Sequence, residues 1–123
     1  MAYDEELAER IEDAVAAHGP FTSRKMFGGV CWMVNTNMAV GITHDLLMVR
    51  VRKGEETEAL SRGAKQMMMG TRLMSGFVTV ARSKLDDEDV LADWVARGVE
   101  VAKSLPAKPP ASASSRIRRN GTT

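Results

Sequence analysis

The chain has 123 residues, of which 44% are hydrophobic and 27% are charged, with 17 basic and 16 acidic side chains. This length fits one domain with a single core, and the hydrophobic fraction excludes a wholly disordered chain. No stretch approaches the roughly 18–20 consecutive apolar residues of a membrane span, and the acidic N-terminus differs from a signal peptide. The only cysteine, Cys31, excludes an internal disulfide and leads us to expect a cytoplasmic protein without a membrane partner.

The charges are segregated along the chain. Residues 1–22 sum to −5, residues 23–84 to +6, residues 85–105 to −4 and residues 106–123 to +4. A basic middle region therefore lies between two acidic flanks and precedes a basic tail. The tail is rich in proline and serine, which predicts that residues 106–123 are disordered. It also predicts weak, nonspecific contact with nucleic acid through the tail.

The two acidic blocks predict amphipathic helices at the two ends of the domain. In the first helix, about residues 4–17, apolar side chains recur every four positions at Leu7, Ile11 and Val15. The second helix spans about residues 86–104. Acidic side chains crowd its first turn, where the helix dipole favours negative charge, so we interpret them as part of the helix and not as a catalytic carboxylate cluster.

Between the helices the hydrophobic period changes to that of β-strands. Short strand-like runs separated by turn residues lie at 24–27, 30–34, 38–42, 46–51 and 77–80, with a brief helix at about 55–61. Connections this short require antiparallel neighbours. The pattern predicts an α+β fold, in which residues 1–105 form a two-layer domain with an antiparallel meander sheet and both terminal helices on one face.

One strand predicts a basic face on the sheet. Period-two alternation along residues 46–51 places the odd-numbered apolar residues against the helices. The opposite face then carries three candidate binding residues: Met48, Arg50 and Arg52. With further basic residues available at Arg24, Lys25, Lys53, Arg72 and Arg82, this face is expected to bind an acidic partner or nucleic acid, unless it is a solvated face paired with the acidic helices.

The glycine pair in residues 24–29 has two interpretations. A phosphate-binding loop would be followed by a helix, whereas Gly28 and Gly29 are followed by a strand pattern that favours a tight hairpin turn. The neighbouring Arg24, Lys25 and Phe27 leave room for an anion beside that turn. All five residues therefore belong to the candidate ligand- or partner-binding site.

Catalytic chemistry has little support in the sequence. His18, His44 and Cys31 lack the spacing of metal ligands, so we expect no metal site and no cofactor. Cys31 lies in the middle of a predicted strand, where a cysteine is usually a small buried hydrophobe. No general base or nucleophile motif is evident, so we predict no catalytic residues and rank an enzyme last.

Nine methionines are present, and three are consecutive at residues 67–69. Three consecutive side chains cannot all point in one direction, so at least one is expected to be exposed. Methionine builds adaptable contact surfaces as well as cores, and we assign Met33 and Met38 to the core. The run is therefore a candidate peptide or subunit contact, in a protein that we expect to be a monomer or homodimer.

Several motifs together resemble the N-terminal domain of the TfoX/Sxy family. They are Arg24–Gly29, Asn37–Gly41, Leu47–Val51, Met74–Val78, Trp94–Gly98 and Ser104–Pro106. The resemblance covers about residues 3–106 and implies a two-layer α+β domain like that of secretion-chaperone-like proteins. Residues 66–69 depart from it, since the family carries a Pro-Met-Asp-Phe-like stretch there.

The resemblance also implies a function. Named members of the family are regulators of natural competence that act with a cyclic-AMP receptor protein at promoters, as accessory factors and not as enzymes. Full-length regulators carry a second, helical domain. We therefore expect a non-enzymatic regulatory or protein-interaction domain, a transcriptional or competence co-regulator that acts through a protein partner. The alternative is a small-ligand or anion-binding protein that uses the basic sheet face.

Overall fold

A computed structural model describes residues 3–26, 28–69 and 71–106. The elements, in chain order, are α1 (Glu5–Ala16), β1 (Thr22–Met26), β2 (Gly29–Val34), β3 (Asn37–Thr43), β4 (Leu46–Arg50), α2 (Glu56–Ser61), β5 (Lys65–Met69), β6 (Arg72–Ala81), a 3-10 turn (Arg82–Lys84) and α3 (Glu88–Ser104). The predicted disordered tail lies, apart from Pro106, outside the described residues. No helix in the described ranges has the length and apolar composition needed to cross a membrane.

The strands form one antiparallel sheet in the order β1-β2-β3-β4-β6-β5, which confirms the α+β prediction. The first four strands are the predicted meander. Strand β5 contains the methionine run and was not predicted, because three consecutive methionines show no alternation. It pairs with β6 alone, and its Met68 lies opposite Leu73, each with about half of its surface exposed (51%). The prediction that one of the three methionines is exposed is confirmed.

Side-chain caps define where the long helices begin. Asp4 accepts a hydrogen bond from the Leu7 amide at 3.0 Å, so α1 starts at Glu5. Asp87 accepts from the Asp89 amide at 2.8 Å and starts α3 in the same way. The acidic block before α3 is therefore part of a helix start, as predicted.

The end of α3 is held by the turn between β2 and β3. Asn37 is almost fully buried, and its side-chain amide lies 3.1 Å from the carbonyl oxygens of Asn35 and Pro106 and 3.3 Å from that of Ala102. Asn35 and Thr36 adopt positive φ angles that suit a tight two-residue turn. Backbone groups that a helix end leaves without partners are thus satisfied from the sheet.

The core lies between the sheet and the two long helices. Apolar residues of the strands, such as Val40, Val49 and Val78, are buried against Leu7, Ile11 and Val15 of α1 and against the apolar stripe of α3. The helix and the sheet approach most closely at Gly98, because a Cβ atom at that position would collide with the carbonyl oxygen of Ala39.

Candidate partner-binding face of the sheet

The sheet has two faces that differ in what covers them. The first, which we call the helix face, carries the core residues and packs against α1 and α3. The second, which we call the open face, carries a row of cross-strand partners that runs over all six strands. Its members, in strand order, are Arg24, Cys31, Gly41, Met48, Thr79 and Lys65. Within the described residues, none of the three helices packs on this face.

A second row adds to the open face beside the first. Met33 pairs with Met38, and Arg50 pairs with Phe77. The sequence interpretation assigned Met33 and Met38 to the core, and this was wrong. Met33 follows the alternation of β2 beside Cys31, and the register shift between Trp32 and Met33 places Met38 opposite Met33, on the side away from the helices.

Methionine side chains cover Gly41 in the middle of the open face. A Cβ atom at Gly41 would lie 2.6 Å from the Cε atom of Met48 and 2.9 Å from that of Met38, so these two side chains meet over the glycine. Met48 and Cys31 are only 7% and 4% exposed, although none of the helices in the described ranges covers them. Burial raises the pKa of the Cys31 thiol, opposed by the nearby positive charge of Arg24. Cys31 is therefore a buried, protonated thiol, which agrees with its interpretation as a small hydrophobe.

Arg50 is held rigidly at the edge of this apolar patch. Its Nε atom donates to the carbonyl oxygen of Met38 at 2.6 Å, and its guanidinium carbon lies 4.8 Å from the centroid of the Phe77 ring. Burial lowers the pKa of the Arg50 guanidinium from its ordinary value. The side chain is thus fixed by a backbone acceptor and an aromatic ring and is partly desolvated.

Other partly buried arginines of the chain are neutralised by carboxylates. Arg10 pairs with Glu88, Arg82 pairs with Asp4 and Glu6, and Arg97 pairs with Glu55 and Glu58. These ion pairs connect the acidic helices with each other and with the end of the sheet. In the described residues, Arg50 is the one partly buried arginine that forms no ion pair with a carboxylate.

The predicted site residues do not all share one face. Arg24, Met48 and Arg50 lie on the open face, as expected. Lys25 lies on the side of α1, where it lines a groove of about 320 Å³ with Glu9, Glu12 and other residues. The separation follows from alternation, since Arg24 and Lys25 are consecutive in β1 and point to opposite faces.

Arg52 was predicted to share the face of Arg50, and this was wrong. Strand β4 ends at Arg50, so the alternation does not continue to Arg52. Arg52 instead lines a groove of about 590 Å³ between α2 and α3, beside Trp94 and Arg97. The guanidinium carbon of Arg97 lies over the Trp94 ring, 5.7 Å from the centroid of that ring.

The glycine pair forms the predicted hairpin turn between β1 and β2. Gly28 has a φ of 75°, a conformation that favours glycine, and Gly29 begins β2. A Cβ atom at Gly29 would collide with the carbonyl oxygen of Ile42, so the close approach of β2 and β3 also requires a glycine there. Phe27, the remaining candidate residue at this turn, lies outside the described residues.

The predicted anion site is dispersed by this geometry. Arg24 on β1 and Arg50 on β4 are separated by three strand spacings, about 14 Å in all. Lys25 faces the opposite side of the sheet, and Gly28 lies at the end of the strands. These groups therefore do not converge on one small anion, and the open face is a broad surface of methionines and separated cations.

Sequence reasoning missed several residues of the open face, namely Cys31, Met33, Met38, Phe77, Thr79 and Lys65. A signal was available in β2, where Val30 and Trp32 alternate with Cys31 and Met33. In β3 the signal was hidden, because the irregular register shifts the alternation between Met38 and the following residues.

The fold and this surface define a two-layer α+β domain with one face of the sheet packed by helices and the other left open in the described residues. A family model described as the TfoX N-terminal domain matches residues 13–102, and the chain belongs to this family. The resemblance seen in the sequence is thereby confirmed. Membership suggests a regulatory role related to competence. No curated protein matches the chain with significant similarity.

Proposed function

We propose that this protein is a non-enzymatic regulatory domain of the cytoplasm that docks a protein partner on its open face. Through that partner it acts as a transcriptional or competence co-regulator. One observation carries the proposal: the apolar strip around Gly41 has no helical layer over it in the described residues, although Met48 and Cys31 within it are buried. The family assignment supports the regulatory part.

The composition of the open face supports a macromolecular partner. Methionine side chains are flexible and polarizable, and they repack around a partner at little cost. The apolar surface that this face offers is the half-buried Met33, Met38 and Phe77 beside the buried Met48, and apolar surface with polar residues at its border is typical of protein contact sites. The two grooves of about 590 and 320 Å³ lie elsewhere, beside the helices; the larger is lined mostly by charged residues and the smaller by a mixture of charged and apolar residues.

The chemistry of the open face also supports a role without catalysis. Among the described residues, the ionisable groups in its two rows are Arg24, Arg50, Lys65 and Cys31, which are three cations and one thiol with a raised pKa. None of them is a general base near neutral pH. Binding is therefore the chemistry that this surface performs best.

Affinity capture with matched variants tests the docking surface. Thr79 is half-buried in the middle of the open face, and Ala92 is exposed on α3. Tagged wild-type protein, Thr79→Arg and Ala92→Arg would be expressed in the source organism and purified with their stoichiometric partners. We expect a partner with wild type and Ala92→Arg and its loss with Thr79→Arg, at unchanged melting temperatures. Equal capture by both variants would exclude the open face.

The regulatory part is tested by gene expression. Deletion of the gene is expected to lower transcripts of DNA-uptake genes, and the wild-type gene is expected to restore them. Complementation by Ala92→Arg, but not by Thr79→Arg, would link regulation to the open face. Unchanged transcripts in the deletion strain under competence-inducing conditions would contradict the competence role.

A further inference from the structure

We propose that the docked partner segment is acidic and amphipathic: its apolar side chains lie on the methionines, and a carboxylate pairs with the Arg50 guanidinium. This inference rests on the proposed function, since it names the chemistry of the partner for the same face. The partner is a segment of a protein, and Arg50 is the residue of this chain that selects for its negative charge.

Arg50 has only part of its guanidinium engaged. Its Nε atom donates a hydrogen bond to the Met38 carbonyl oxygen, and one face of the guanidinium packs on the Phe77 ring. Within residues 3–26, 28–69 and 71–106, no hydrogen bond or ion pair engages its two terminal nitrogens. An arginine in this state presents a preorganised fork, which matches a carboxylate in two parallel hydrogen bonds.

Arg50 differs from the other partly buried arginines in having no carboxylate partner among the described residues. Arg10, Arg82 and Arg97 all satisfy their charge with glutamate or aspartate from a neighbouring helix. Partial burial of a cation is costly unless a counter-charge or hydrogen bonds compensate. On the helix side the chain supplies that counter-charge itself, so on the open face a partner is the remaining source of it.

The open face as a whole carries positive charge in the described residues. The cross-strand row has Arg24 at one edge and Lys65 at the other, with Arg50 between them in the second row. No acidic residue occupies a strand position on the open face of the described residues. A basic segment is therefore repelled, while an acidic segment is attracted along the full width of the sheet.

The same face is poorly suited to nucleic acid. Arg24 and Arg50 are separated by β2 and β3, which carry Cys31 and Met38, and β6 lies between Arg50 and Lys65, so the three cations do not line a continuous path for phosphates. One side of its aromatic ring, Phe77, is already covered by Arg50, which reduces the surface that a base could stack on. An apolar strip with isolated cations fits a protein segment with separated carboxylates.

Peptide selection with charge-swapped targets tests this chemistry. Random 16-residue peptides would be selected by mRNA display against wild-type protein, Arg50→Gln, Arg50→Glu and the control Arg52→Glu. We expect selection on wild type and Arg52→Glu to enrich apolar residues with aspartate or glutamate. Arg50→Gln keeps a donor for the Met38 carbonyl and is expected to lose the acidic enrichment, and Arg50→Glu is expected to replace it with basic residues. Melting curves confirm that the variants fold, and Arg50→Lys provides a further variant that keeps the charge without the fork.

The binding position is mapped with carbon-13-labelled methionine methyl groups. We expect selected peptides to shift the signals of Met33, Met38 and Met48. Replacing the peptide carboxylate by an amide is expected to weaken binding to wild type by about tenfold or more and to have little effect on Arg50→Gln.

The outcomes separate this inference from the proposed function. Peptides that shift the open-face methyl signals without acidic enrichment would overturn the carboxylate pairing and leave the docking face in place. Enrichment only of peptides that bind elsewhere, or of none, would overturn both. Concentration-dependent shifts of the same methyl signals without peptide, with dimer formation in sedimentation, would assign the face to a second copy of this chain and overturn the inference.

Discussion

The two faces of the sheet are built from alternate residues of the same strands, yet they differ in rigidity. On the helix face, Val49 is fully buried among branched and aromatic side chains, and the backbone of α3 touches the sheet at Gly98. On the open face, Met48 is nearly as buried, but its neighbours are flexible thioethers and Gly41. The comparison indicates that the helix face supplies the stability of the domain, while the open face keeps an apolar surface that can repack around a partner.

Substitutions of one glycine on each face give the largest expected difference. In a helix, Gly→Ala ordinarily stabilises by about 1 kcal/mol. At Gly98 the added methyl group would meet the Ala39 carbonyl, which is backbone and cannot rotate away. We expect Gly98→Ala to lower the free energy of unfolding by about 3 kcal/mol.

The matched substitution is Gly41→Ala. There the closest contacts of the added methyl group would be the ends of two flexible side chains, Met38 and Met48, which can move, while the backbone carbonyl oxygen of Val30 lies at 3.0 Å, farther than the 2.4 Å of the Ala39 carbonyl at Gly98. We expect a loss of stability clearly smaller than that of Gly98→Ala, together with shifted methionine methyl signals. Urea denaturation of both variants checks the pair, and equal losses would show that the open face is as rigid as the helix face.

Deletion of side chains in β4 gives the next largest effect. We expect Val49→Ala to lower the free energy of unfolding by about 1–3 kcal/mol, because a cavity within the fixed core cannot be filled. Met48→Ala removes more atoms but is expected to cost less, since the neighbouring Met38 can collapse onto the site. Denaturant melts rank the two variants, and the reverse ranking would contradict the division between a rigid and an adaptable face.

The reactivity of Cys31 tests how tightly the methionines close the open face. Burial raises the pKa of its thiol, so little thiolate is present at neutral pH. We expect alkylation by iodoacetamide at pH 8 to be at least about tenfold slower in the folded protein than in 6 M guanidinium chloride, since thiolate is the reactive form. Met48→Ala is expected to speed the folded-state reaction by opening the cover. An equal rate in the two proteins would show that Met48 does not shield the thiol.

The smallest expected effect concerns the turn that leads into the open face. Glu56 of α2 accepts hydrogen bonds from the backbone amides of Gly76 and Gly54, both at 2.9 Å. Gly76 directly precedes Phe77, and its hydrogen bond is the main cause of the lowered pKa of Glu56. A lowered folded-state pKa stabilises the fold above the unfolded-state pKa, and this contribution is lost as the pH falls through the lower value.

We therefore expect wild type to be more stable than Glu56→Gln at pH 7 and to lose that advantage gradually below about pH 4.5, the ordinary value for this carboxyl. Urea melts at a series of pH values between 7 and 3 measure the difference. A difference between the two proteins that stays constant over this range would show that the carboxylate charge does not hold the turn.

Local patterns predicted much of the fold correctly. The four-residue spacing of Leu7, Ile11 and Val15 predicted α1, and alternation in β4 predicted that Val49 faces the helices. The glycine pair predicted the hairpin between β1 and β2. These features depend on the period of apolar residues and on the backbone freedom of glycine, which are properties of a few neighbouring residues and can be read without the rest of the chain.

The arrangement of the open face was decided by tertiary structure. The sequence could not show that β4 ends before Arg52, that β3 shifts its register after Met38, or that β5 exists, since each depends on pairing between distant segments. It also could not show which arginines find carboxylates. That choice is made by the packing of α1, α2 and α3 on one face, which brings acids to Arg97 and its counterparts and leaves Arg50 on the other face, beyond their reach.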